Sequence, residues 1–197
     1  MLTKHQITGI SPQKVLEIRL EGAQRRRVEL LRLDFESLDD FYVSEEEASK
    51  TVVKIINLGH NQITRFPECV TYFSGLVDLD LSCNQIKEVP PEIGRMGTLE
   101  RLGLSVNLLV EMPPELSRLT GLRSLDLGHN EIERFPLQIL ALTRLEYLSL
   151  YSNKIRRIPL GPQGILRLKA LKYLHLKMPE EAIHPEVYSL PCLKEIL

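Results

Sequence analysis

One phrase is written five times in this chain at a fixed interval, and few folds can accommodate such writing. It reads Val53-x-x-Ile56-x-Leu58-x-x-Asn61-x-Ile63-x-x-Phe66-Pro67. It returns as Leu76/Leu79/Leu81/Asn84/Ile86/Val89/Pro90, then as Leu99/Leu102/Leu104/Asn107/Leu109/Met112/Pro113. The last two copies are Leu122/Leu125/Leu127/Asn130/Ile132/Phe135/Pro136 and Leu145/Leu148/Leu150/Asn153/Ile155/Ile158/Pro159. Each Asn lies 23 residues after the one before it.

An alternation such as Leu79-x-Leu81 makes a short half-buried strand, because successive strand side chains point to opposite faces. One such strand cannot bury its apolar face alone, so the copies stack into a parallel sheet over a continuous core. The Asn turns the chain off the strand, since its amide both donates and accepts and so satisfies turn groups buried in the stack. The Pro fixes φ and opens the return segment. In that return, Ile93/Met96, Leu116/Leu119 and Ile139/Leu142 recur at a spacing of three, that of a short helical or 3₁₀ turn. The period predicts an α/β solenoid.

The phrase, with Pro91-Glu92-Ile93-Gly94-Arg95-Met96 as its second half, resembles the leucine-rich repeat superfamily, in particular the 23-residue intracellular type of Ras-suppressor-like and Scribble-like scaffolds. The resemblance is strong over 53–159 and weaker over 28–197. It implies a right-handed horseshoe with the parallel β-sheet on the concave face and short helical, 3₁₀ or irregular segments on the convex face. It also implies a binding platform and transfers no catalytic residue.

Net charge of −1 and a pI near 6.5 give no concentrated basic face of the kind nucleic acid requires. Three widely spaced cysteines, Cys69, Cys83 and Cys192, read as reduced thiols, and no Cys-rich block flanks the repeats. The first residues lack the apolar stretch of a signal peptide, and no run approaches the roughly 20 apolar residues of a membrane span. The expected location is cytoplasmic.

Residues 1–27 read as a lead-in and capping strand, with Val15-x-x-Ile18-x-Leu20 turning at Gly22-Ala23 to cover the first sheet edge; a disordered arm is the alternative. The repeat domain then spans 28–197. Its degenerate first repeat, 28–52, carries Val28-x-x-Leu31-x-Leu33 in register, with Glu36 at the Asn position and Tyr42 at the Pro position. Ser44 and Glu47 have capping-box spacing, predicting a short helix from 45 to about 50. Regular repeats fill 53–159. After Pro159 three extra residues enter within Leu160-Gly161-Pro162-Gln163-Gly164, predicting a loop that bulges at the solenoid edge. C-terminal repeats run to 197: Leu171-x-x-Leu174-x-Leu176 is followed by Met178-Pro179 in place of the Asn turn. A final strand at 193–197 predicts an open apolar edge, covered by more chain, a partner or a second copy.

Two groups stand out among the residues the strands turn outward. Tyr147, Tyr151 and Tyr173, with His175 and Lys177 beside them, form an aromatic cluster; such rings bury large area at little entropic cost, although a surface ladder needs no ligand. Asp78, Asp80 and Asp126 surround the bare backbone of Gly103, with Arg101 and Arg123 near, making an acidic hollow suited to a basic side chain. A third grouping, His60 beside Cys83 with Asp80 and His129, has the residue types of a thiolate nucleophile or a zinc site. His129 falls roughly 10 Å beyond Cys83, two strand spacings, too far for one tetrahedral ion.

The expectation is a non-catalytic protein-interaction module, an adaptor or signalling scaffold that uses no cofactor or metal and binds neither nucleic acid nor membrane. Its partner protein would lie on the concave face against Tyr147, Tyr151, Tyr173, His175, Asp78, Asp80, Asp126 and Arg101. Self-association or contact at the C-terminal edge is a further expectation. The alternatives are a recognition or regulatory subunit of a ubiquitin-ligase or phosphatase assembly, and a bacterial effector.

Overall fold

The computed structural model describes residues 28–32, 44–49, 53–177 and 183–196, the first of these as backbone alone. Among them the Leu-x-Leu segments become eight strands in chain order. These are β1 (Val28–Arg32), β2 (Val53–Asn57), β3 (Asp78–Asp80), β4 (Arg101–Gly103), β5 (Ser124–Asp126), β6 (Tyr147–Ser149), β7 (Tyr173–His175) and β8 (Glu195–Ile196). They lie side by side in that order in one sheet, every neighbouring pair parallel. Register follows the sequence interval: Asp78 pairs Arg101, Arg101 pairs Ser124, and Ser124 pairs Tyr147.

Constant register stacks like on like. Leu79, Leu125, Leu148 and Leu174 are fully buried, one above another, and Leu81, Leu104 and Leu127 form a parallel column beside them. Each such side chain contributes roughly 1.5–3 kcal/mol through removal from water. The other wall of the core comes from the returns, through Ile93, Leu116, Ile139 and Ile165, all fully buried.

The returns are 3₁₀ turns at Glu68–Tyr72, Pro91–Arg95, Pro114–Arg118, Leu137–Ala141, Ile165–Arg167 and Pro185–Ser189. A 3₁₀ turn rises about 2.0 Å per residue against 1.5 Å in an α-helix, so a five-residue segment spans more of the way home. The apolar pairs spaced by three close these turns: Met96 N–H donates to Ile93 O, Leu119 N–H to Leu116 O and Leu142 N–H to Ile139 O. Pro91 and Pro114 open theirs, where the missing N–H costs nothing. The early helix α1 spans Glu45–Ser49, with Ala48 N–H donating to Ser44 O.

The asparagines form a continuous ladder inside the stack. Asn107 Nδ2 donates to Leu81 O, Leu104 O and Ser105 O, and its Oδ1 accepts from Ile86 N–H. Asn84 and Asn130 repeat this pattern one coil earlier and one coil later. Just before each Asn the backbone enters the left-handed region, at His60, Cys83, Val106, His129 and Ser152, with φ between 52° and 58°. Sequence reading did not anticipate this, because no glycine marks the position. Val106 is the unusual member, since a β-branched residue resists that conformation.

The insertion after Pro159 is drawn tight, where a bulging loop was expected. Gly161 takes φ 78°, Gly164 N–H donates to Gly161 O, and Ile165 N–H donates to Pro159 O. A Cβ on Gly164 would sit 2.3 Å from Pro159 O, so the closure admits only glycine. Gly161 N–H also donates to Glu186 Oε2, tying the insertion to the next return.

β8 pairs Tyr173 with Glu195 and Leu174 with Ile196, the predicted last strand. The expected N-terminal hairpin, the Glu36 and Tyr42 positions, and the Met178-Pro179 substitution lie outside the described residues. Among the described residues no helix is long and apolar enough to cross a membrane.

Candidate functional site

The inner face of the sheet shows the side chains that alternate with the buried leucines, fixed by register before any partner arrives. Over β3 to β5 they surround a hollow of about 290 Å³ lined by Asp78, Asp80, Ser82, Arg101, Gly103 and Asp126 among others. The predicted acidic residues do converge there, and the structure gives each of them a neighbour. Arg101 Nε lies 2.8 Å from Asp78 Oδ2, so this pair neutralises itself at the rim. Asp80 Oδ1 accepts from Ser82 N–H and Asp126 Oδ1 from Gly128 N–H, as Asn57 Oδ1 accepts from Gly59 N–H. These short side chains therefore cap the end of their own strand in an Asx turn, a role missed from sequence. A Cβ on Gly103 would come within 2.8 Å of Asp80 Oδ1, so any larger residue here would have to displace that carboxylate.

Arg123 does not reach the hollow. It pairs with Glu146 at 2.6 Å and with Glu100 at 3.8 Å. Lys172 joins the same Glu146 carboxylate. Their hydrogen bonds, Lys172 first and Arg123 second, hold the Glu146 carboxyl below the usual carboxylate range. A signal for these pairs existed. Asp78 and Arg101, like Glu100, Arg123 and Glu146, stand at the repeat interval that places the leucines.

The expected tyrosine cluster resolves into separate contacts. Tyr147 and Tyr173 are backbone partners on β6 and β7, yet Tyr147 packs edge-on against His175 at 5.0 Å between centroids. Tyr151 tilts against His129 at 5.3 Å, with Lys177 Nζ 5.8 Å from its ring centre. Lys194 Nζ lies 6.0 Å from the ring of Tyr173. Burial first, then the Asp126 carboxylate, raises the Tyr147 phenol above its ordinary range. Tyr147 thus joins the aromatic stretch to the hollow. The cations over two rings are an arrangement worth about 0.5–1 kcal/mol each at exposed sites.

His60 and Cys83 occupy equivalent left-handed positions on adjacent coils, where Cys83 N–H donates to Ser105 O and His60 N–H to Ser82 O. Among the described residues no group of three His, Cys, Asp or Glu side chains could hold a metal ion.

A parallel sheet built from one strand per coil, with 3₁₀ returns behind it and an asparagine ladder between, defines a leucine-rich repeat solenoid. The family model described as "Leucine rich repeat" matches residues 74–132 and 97–155. Residues 74–155 thus carry leucine-rich repeats of that family. Among solved structures the chain is similar to a leucine-rich repeat protein of Leptospira interrogans, at 26% identity and TM-score 0.62 over 86% of this chain and 48% of that one. It is similar as well to a chain of the TLR13–ssRNA13 complex, at 30% identity and TM-score 0.63 over 76% of this chain and 22% of that one. The ectodomain of the plant receptor kinase GASSHO1/SCHENGEN3 from Arabidopsis thaliana, in complex with CASPARIAN STRIP INTEGRITY FACTOR 2, shares the fold. Its identity is 24% and its TM-score 0.62, over 76% of this chain and 18% of that one. The chain spans about half or less of the length of each of these structures. No curated protein matches it.

Proposed function

We propose that this chain is a non-catalytic protein-interaction module of the 23-residue intracellular type that holds a partner protein against its concave sheet. The observation that carries the reading is the set of positioned side chains along the inner face: the Gly103 hollow, the Tyr147–His175 pair, and Tyr151 and Tyr173 with their lysines. Preorganised groups lose little freedom on binding, so more of their contact energy appears as affinity.

In this reading Tyr147, Tyr151 and Tyr173 are the anchors and His175 sets the tilt of Tyr147. Asp126, with one carboxylate oxygen outside its turn bond, and Asp80, whose second oxygen accepts from Asn57 Nδ2, receive a basic side chain over Gly103, while the Asp78–Arg101 pair marks the rim. The carboxylates on this stretch favour a protein over the phosphate backbone of a nucleic acid. The working compartment we propose is the cytoplasm, which imaging of the tagged chain checks.

Affinity capture with the native chain, repeated with Tyr147, Tyr151 and Tyr173 all changed to Ala, tests the site. The captured partner should bind the triple variant at least about tenfold more weakly, since each tenfold is about 1.4 kcal/mol and single anchors exceed that. Equal affinity places recognition elsewhere. Asp80→Asn with Asp126→Asn should reduce binding of a basic partner and its salt dependence together.

A further inference from the structure

After each Asn the chain crosses from the sheet towards the return, and these crossings stack into a ladder along the flank of the solenoid. Gln85 N–H donates to Ile63 O, Leu108 N–H to Ile86 O, Glu131 N–H to Leu109 O and Lys154 N–H to Ile132 O. Equivalent residues on adjacent crossings are therefore about 5 Å apart. On the crossing of the third regular repeat three apolar side chains face water: Val106, Leu108 and Val110 are 46%, 41% and 54% exposed. Their neighbours are polar, Gln85 and Glu131 beside Leu108, Lys87 and Glu133 beside Val110. The strip belongs to one repeat alone. Val106 also keeps the left-handed backbone that its β-branch opposes, so this valine is not there for its own turn.

The charges beside the strip say what fits it. On the preceding crossing stand Lys87 and Glu88; at the same two positions of the following crossing stand Glu133 and Arg134, with signs reversed. All four are exposed, and none makes an ion pair among the described residues. A surface of one sign would be repelled by half of this pattern, whereas a second copy of the same chain matches all of it. A two-fold axis along the third crossing lays Lys87 of one chain against Glu133 of the other and Glu88 against Arg134, each pair occurring twice. Val106, Leu108 and Val110 then meet their own counterparts in the centre. Glu111 meets its copy on the axis, between the two Arg134–Glu88 pairs.

We propose that this chain self-associates as a two-fold dimer through the flank of its third regular repeat, centred on Leu108 and Val110. Each concave sheet stays open for a partner, so the dimer presents two such faces running in opposite directions.

Sedimentation velocity of the 197-residue chain over a concentration series tests this. The native chain should show a reversible monomer–dimer equilibrium. Lys87→Glu alone should weaken it by about tenfold or more, because the reversal acts at two symmetry-related pairs. Lys87→Glu with Glu133→Lys should restore it, since the swapped charges face each other again. Leu108→Ser with Val110→Ser should yield monomer with unchanged far-ultraviolet dichroism. A native chain that stays monomeric at every concentration overturns the proposal. So does a charge swap as weak as the single reversal, or a serine variant that still dimerises as before. Each of these readouts is independent of the concave tyrosines.

Discussion

Replacing Asn107 and Asn84 together should cost more than the sum of the two single changes, and the hydrogen bonds say why. In Asn107→Ala the three carbonyls it serves each keep another donor: Leu81 O retains Asn84, Leu104 O retains Asn130, and Ser105 O retains Cys83 N–H. What is orphaned is Ile86 N–H, which Asn107 Oδ1 alone accepts. A single buried unsatisfied donor costs about 1–3 kcal/mol. Asn84→Ala similarly orphans Ile63 N–H, while Leu58 O keeps Asn61 and Ser82 O keeps His60 N–H. Leu81 O is different, because Asn84 and Asn107 are its two donors. Only the double variant strips it bare. The coupling should therefore be positive, within the range of about 0.5–3 kcal/mol found for groups in one network. Each single variant should lower the melting midpoint by roughly 2–4 °C per kcal/mol for a chain of this size. Chemical and thermal denaturation of the native, single and double variants, followed by circular dichroism, give the cycle. Additivity to within about 0.3 kcal/mol would show that the ladder does not share its carbonyls.

Val106→Asn should stabilise the monomer by about 1 kcal/mol, since Asn tolerates the left-handed backbone better than a β-branched residue; dilute thermal melts check it. Glu146→Gln should flatten the acid limb of the stability curve. The folded Glu146 carboxyl titrates below its ordinary value of 4.5, so its contribution is present above that pH and lost as pH falls through the depressed value. Equal acid unfolding of native and variant chains would contradict this. Tyr147 should ionise above pH 10 in an ultraviolet titration, and Asp126→Asn should bring it down. Leu104→Ala should cost about 2–5 kcal/mol, read as a lower urea midpoint, because a fully buried column loses a member.

What repeats was legible in advance, because stacking makes a local rule global. The leucine positions, the parallel register, the asparagine turns and the spacing-of-three returns all followed from one interval. The register of the first strand was legible too, with β1 pairing Val28 with Val53. The side-chain partners on the inner face were harder to read. Whether Asp80 reaches outward or folds onto Ser82 N–H depends on a rotamer and a turn, and the strand pattern is silent on both. Equivalent ladder positions told which tyrosines were close, but a ring can lean to either side, and Tyr147 leaned to His175. The interval set Arg101 beside Asp78, but whether a charged side chain turns into the hollow or away from it depends on its rotamer, and Arg123 turns to Glu100 and Glu146. The left-handed residues carried no cue at all, since His, Cys, Val and Ser are not the residues such a backbone advertises.

Each strand and each return rests on the one before and the one after. Excising one unit between equivalent residues, from Leu99 to Gly121 for example, would bring Leu122 to the place that Leu99 held, with matching contacts on both sides. Unequal recombination between the coding segments of two coils can thus lengthen or shorten the molecule in one event and still deliver a foldable product. The same property makes the chain a natural spacer, whose reach a protein engineer can set by copy number, one strand's breadth at a time.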